Sequence, residues 1–230
     1  MPRKTNAVGA PTRPFVRIAG FAGLGFASLI VLANAIMVPT GPPRTGAGTA
    51  DVVAYFSGNQ ATVGLSSALT PTAWALSTLF AAGVVVATRQ SDRDRGEAWS
   101  LVGFAGVLLQ NGTFAAVIAL RLALPPTTRT APDATGALWS LHDTLFTLNG
   151  VFLAMALVGL SISGRHANLI PRWHATLGHL AATLLFTSAT LTPLITAAPG
   201  PLGLLGLGGW LLWVAWIVVY ATTLIRRPHH

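Results

Sequence analysis

His142 and Asp143 stand side by side in an otherwise apolar stretch, Leu138 to Phe152, with Asn149 seven residues beyond His142. An imidazole beside a carboxylate suits proton transfer, and with amides nearby it suits binding of a small polar group. Four more residues of this kind lie in apolar surroundings: Asn34, Gln110, Asn111 and Arg121. At roughly 100° per residue, His142 and Asn149 share a helix face with Trp139 and Phe146. Asp143 points about a quarter turn away, so the two form no obvious dyad and each needs a partner on another helix. Gln110, Phe114, Val117 and Arg121 share one face by the same reasoning. Two uses are open. The seven residues either tie helix to helix, at roughly 0.6–2 kcal/mol for each bond, or line a polar cavity that binds a small molecule or passes protons.

Several chemistries fall away on residue type. Cysteine is absent, which excludes disulfides, thiolate metal sites and a cysteine nucleophile. The one lysine is Lys4, so no span can hold a retinal Schiff base. His142 is expected at the opposite side of the bilayer from His174 and His179, which argues against a haem held between two histidines. No cluster of three or four ligands suggests zinc. The run Gly159–Gly164, "GLSISG", looks like a serine-nucleophile turn but has no His or Asp at its depth. No catalytic residue, metal site or cofactor is expected.

The elements that position these residues follow from composition. The 230-residue chain is 52% hydrophobic and 9% charged, against about 25% charged in a soluble domain. Six apolar runs approach or exceed the roughly 20 residues that span a bilayer. They are Phe15–Val38, Ala61–Thr88, Ala98–Leu124, Thr135–Ser163, His174–Ile195 and Leu202–Ile225. Pro- and Gly-rich segments separate them, and Thr70-Pro71 is expected to kink the second. The expected fold is an all-α, six-helix transmembrane bundle: a tail over 1–14, one domain over 15–225, and a tail over 226–230.

Charge sets the orientation. Arg3, Lys4, Arg13, Arg17, Arg89, Arg93, Arg95, Arg165, Arg172, Arg226 and Arg227 fall on one side, and only Arg44, Arg121 and Arg129 on the other. Basic residues favour the cytoplasm, so both termini are placed there. The net charge of +8 is absorbed by this asymmetry and implies no nucleic-acid partner. Arginine in place of lysine, with abundant Ala, Gly and Pro, points to a bacterial plasma-membrane protein. A rival remains, since "LANA" at Leu32–Ala35 fits signal-peptidase cleavage and would leave five spans.

Smaller features refine the picture. Residues near 50–60 read as a short amphipathic helix outside the bilayer, capped by Thr49, with Val52, Val53 and Phe56 on its apolar face. Ala19, Gly23 and Ala27, and the glycines at 203, 206, 208 and 209, form small-residue packing surfaces. Trp99, Trp139 and Trp173 are placed at interfaces, while Trp213 and Trp216 sit deeper as packing residues. Pro171 is expected to open the fifth span. Asp143 is expected to face the interior and bond Arg121, with His142 turned toward Asn34 or the third span.

The stretches "ADVVAYFSGNQ", "ALWSLHDTLFTLNGVFLAMALVGLSI" and "LIPRWHATLGHL" together resemble a broad group of bacterial six-span membrane proteins, a domain of unknown function. The likeness covers most of the chain and includes the turn Ile170, Pro171, Arg172, Trp173 with Gly178. It implies the six-span order and no activity. The first functional expectation is a non-enzymatic membrane protein, such as an accessory subunit with a membrane-protein partner or a second copy of itself. The alternatives are a small-molecule or proton-coupled carrier and, third, an intramembrane enzyme.

Overall fold

The computed structural model describes residues 13–226, and every regular element among them is helical. Arg3, Lys4 and Arg227, which enter the charge count, lie outside the described residues, as do the rest of 1–12 and 227–230. The elements are α1 (Arg13–Met37), a 3₁₀ turn (Val38–Thr40), α2 (Thr49–Gly58), α3 (Gln60–Ala68) and α4 (Thr70–Arg95). Then follow α5 (Trp99–Thr130), α6 (Pro132–Leu148), α7 (Gly150–His166), α8 (Arg172–Thr190), α9 (Thr192–Ile195) and α10 (Gly203–Arg226).

Five helical segments are long and apolar enough to cross a membrane: Pro14–Thr40, Gln60–Arg95, Trp99–Thr130, Pro132–His166 and Gly203–Arg226. The expected fifth span, α8, has the length at 19 residues, but His174, His179 and four threonines dilute it. Outward-facing side chains support a lipid-facing surface. Phe21, Leu109, Phe186 and Leu211 are each about half exposed on different helices. Apolar residues exposed on every side fit hydrocarbon better than water.

Close packing starts from small residues. α1 lies between α4 and α10, with Ala19 against Gly83, and Gly23 against Phe80 and Ala221. α5 crosses α7 where Gly103 and Gly159 bring the two backbones together. α8 packs between α7 and α10, and Gly209 of α10 lies on Leu185. Trp213 and Trp216 are buried in this core, as expected. A second, smaller core forms where α2 folds over the bundle and buries Val52, Tyr55 and Phe56 beside Met37, Leu124 and Trp139. This is the α2 end. The arginine-bearing helix ends at 89–95, 165 and 172 lie at the other, basic end.

Four local expectations need correcting. Thr49 does not cap α2, because the capping position is Gly48 and carries no side-chain bond; Tyr55, not Val53, completes the buried face. Trp139 is buried against Phe56, with ring centroids 5.8 Å apart, instead of sitting in an interfacial belt. The helix α5 does not stop at Leu124 but runs through Pro125 and Pro126 to Thr130. Each proline forgoes one backbone bond, while hydroxyls of Thr128 and Thr130 donate to the carbonyls of Pro125 and Pro126. Finally, the fourth run is two helices that meet at Asn149. Its neighbour Gly150 sits so close to α8 that a Cβ there would lie 2.6 Å from the Leu185 carbonyl oxygen. The break at Leu69 before Pro71 agrees with the expected kink.

Candidate functional site

A cavity of about 310 Å³ lies within the bundle toward the α2 end. Its walls come from α1, α3, α4, α5, the α6–α7 junction, α8, α9 and α10, joined by Thr45 of the 41–48 segment. Four of the seven polar residues singled out in the sequence line it: Asn34, Gln110, Arg121 and Asn149. The cavity keeps largely apolar surroundings, with Ile30, Leu153, Leu185 and Trp213 at its deep end. It thus falls at the small end of the roughly 300–1,000 Å³ typical of ligand pockets, with few polar groups among apolar walls.

Each polar group has its own situation. Gln110 is buried, and its side chain makes no hydrogen bond among the described residues. Asn34 donates to its own helix at the Ile30 carbonyl, 2.9 Å away. The Asn149 side-chain oxygen is buried without a partner. Arg121 donates through Nη1 to the Met37 sulfur at 3.6 Å, a weak acceptor. Phe114 and Arg121 share the cavity wall with Gln110, as the common face on α5 predicts, and Val117 on that face is buried.

The other three residues serve elsewhere. Asn111 ties α5 to α4. Its amide nitrogen donates to Ser77 Oγ at 2.9 Å, with Thr78 Oγ1 at 3.1 Å and the Trp74 carbonyl at 3.2 Å. Asn111→Leu is expected to lower bundle stability by about 1–2 kcal/mol, since it strands these partners. A thermal melt in detergent reads this directly, and an unchanged midpoint would mean the clamp is idle.

Asp143 does not bond Arg121. One carboxylate oxygen accepts the Gly46 backbone N–H at 2.8 Å, and the other lies 3.4 Å from His142 Nδ1. Helix periodicity points only to partners on neighbouring helices. A loop backbone N–H proved nearer, and the adjacent imidazole does approach the carboxylate. His142 turns neither to Asn34 nor to α5. It stacks between Trp139, at 4.8 Å, and Phe146, at 6.2 Å, on its own helix. The shared face was therefore legible, and the partner was not.

One buried polar cluster lies outside the seven residues that the sequence singles out. His174, wholly buried, approaches the Trp216 carbonyl through Nε2 at 2.9 Å. Trp216 Nε1 donates to Ser161 Oγ at 3.1 Å, and the Tyr220 hydroxyl lies against the Leu160 carbonyl. The neighbouring Gly178, whose missing side chain makes room for Trp216 and Ser161, was the available signal. His179, by contrast, is exposed. Among the described residues no three His, Asp or Glu side chains gather where they could hold a metal.

The arrangement offers a preformed, mostly apolar pocket with one guanidinium, three amides and several hydroxyls, and among the described residues no aligned nucleophile and base. That equips it to hold a molecule in place. No family model matches the chain, and no curated protein or solved structure does either.

Proposed function

We propose that this chain is a six-span protein of the bacterial plasma membrane, with both termini cytoplasmic, that binds and hands on a small molecule through the cavity at its α2 end. The observation that carries the reading is the cavity itself, lined by Asn34, Gln110, Arg121 and Asn149. Interlocking polar residues, as an accessory subunit would need, leave no such space; of the seven, Asn111 is the one that behaves that way.

Support for six crossings comes from direction. α10 runs opposite to α1, since Gly20 near the start of α1 meets Ala221 and Ile225 near the end of α10. α7 therefore ends at the basic end while α10 begins at the α2 end, and α8 is the helix that joins the two. Of its two histidines, His174 faces protein, and the exposed His179 lies within about two turns of the helix start at the basic end. The arginine asymmetry then favours the basic end as cytoplasmic.

The absence of native cysteine makes the topology directly testable. Thr130→Cys should react with an impermeant maleimide on intact cells, and Asp94→Cys only after permeabilisation. The opposite pattern would overturn the orientation. For the binding site, Gly203 lines the cavity and has no atom within 4 Å of where a Cβ would stand. Gly203→Trp should fill the space without disturbing the fold. In a thermal-shift screen of small metabolites and amphiphiles, compounds that stabilise the natural chain should fail to stabilise this variant. If no compound separates the two proteins, the binding reading is lost.

A further inference from the structure

Arg121 is a cation in a mostly apolar cavity with no carboxylate paired to it among the described residues. Asp143, the nearby candidate, is engaged by Gly46 and His142. A guanidinium carries five N–H donors and stays charged, and Met37 sulfur satisfies one of them weakly. Within a membrane such a charge is costly unless something neutralises it. A bidentate anion on the ligand, carboxylate or phosphate, is the group whose geometry matches. The deep end asks for the opposite chemistry, since Ile30, Leu153 and the Trp213 ring line it with mostly apolar surface.

The mouth gives the route. Asn34 on α1 and Leu207 on α10 both line the cavity and are exposed, Leu207 by 51%. Deeper down the same two helices close on each other, with the Phe26 and Trp213 rings 5.4 Å apart. The cavity therefore opens sideways between the α2-end halves of α1 and α10, where apolar side chains face outward.

Resting on the binding reading above, we propose that the ligand is an amphiphile with one anionic head group, reaching the cavity laterally from the bilayer. Its head lies on Arg121 and its apolar part against Leu153 and Trp213. The volume suits a single chain or small ring system.

Purified protein in a neutral detergent, captured on scintillation beads, can be titrated with radiolabelled palmitate. Saturable binding is expected, displaced by unlabelled palmitate or hexadecyl phosphate and far less well by hexadecanol. Whichever anion displaces at lower concentration assigns the source as a free carboxylate or a lipid phosphate. Arg121→Gln should weaken binding roughly tenfold to a hundredfold, the loss of a charge-assisted contact. Arg121→Lys should recover most of it, which shows that Arg121→Gln acts through charge and not through misfolding. Equal displacement by hexadecanol, or full affinity in Arg121→Gln, would overturn the anionic head group and leave the binding reading standing. Absence of saturable palmitate binding overturns the inference too, while compounds blocked by Gly203→Trp would still uphold the cavity. Equal palmitate binding by Gly203→Trp places the amphiphile outside the cavity and removes the inference as well.

Discussion

Gly159→Leu is expected to yield little or no monodisperse protein, whereas Gly112→Leu, one helix away, behaves like the natural chain. A Cβ at Gly159 would stand 2.6 Å from the Gly103 Cα and 2.7 Å from the Trp99 carbonyl oxygen. Both obstacles are backbone, so no rotamer change relieves them, and α5 and α7 must separate. Overpacking usually costs about 1–3 kcal/mol where side chains can adjust, and here they cannot. In a membrane, close backbone approach is itself a main source of helix association. The damage reaches the site, because α5 carries Gln110 and Arg121 while α7 begins beside Asn149. Gly112 has open space where its Cβ would stand, so its substitution isolates crowding from propensity. Size-exclusion yield and melting midpoint are the readouts. Natural behaviour of Gly159→Leu in both would mean that α5 and α7 do not meet as described.

What the sequence disclosed was periodic, and what it concealed was pairwise. The helical runs and the common face of Gln110, Phe114, Val117 and Arg121 follow from a repeat of 3.6 residues, and they stand. So does the shared face of Trp139, His142 and Phe146, at spacings of three and four, although their stacking on one another was not foreseen. Gln110 and Asn111 are adjacent, so they point to different neighbours: one meets the cavity, the other binds α4. Periodicity assigns directions to such a pair but not the objects they meet. The Asp143 partner was missed because depth along two helices says nothing about a loop folded over their ends. The Asn149 break was hidden because neither Asn149 nor Gly150 forbids helix, and the close approach of α8 that uses them belongs to another part of the chain. The inner His174 cluster was hidden for a like reason. A histidine near a span end reads as interfacial until Trp216 and Ser161 are brought to it from α10 and α7.

Asp143→Ala should destabilise the protein by about 1.5–3 kcal/mol, the range for a hydrogen bond to a charged group. The Gly46 N–H would lose its acceptor, and the 41–48 segment its anchor on α6. Asp143→Asn should cost less, since an amide oxygen can still accept that N–H. Gly46 is the second half of the same latch. Its φ of +79° suits glycine, and a Cβ there would lie 2.8 Å from the Ala198 backbone. Gly46→Ala should therefore displace the segment and remove the same bond. Substitutions that break one shared contact do not add, whereas those without a shared partner add to within about 0.5 kcal/mol. Gly46→Ala combined with Asp143→Ala should fall clearly short of the sum of the two single effects. Arg121→Gln combined with Asp143→Ala should equal its sum. Strong coupling between Arg121 and Asp143 would restore the ion pair that the helix positions first suggested and would displace the latch. A functional readout accompanies the energetic one, because Thr45 of the latched segment lines the cavity. A single cysteine at Thr45 should react faster with a polar maleimide once Asp143 is replaced by Ala. An unchanged rate would mean that the carboxylate stabilises the bundle without holding the cavity closed.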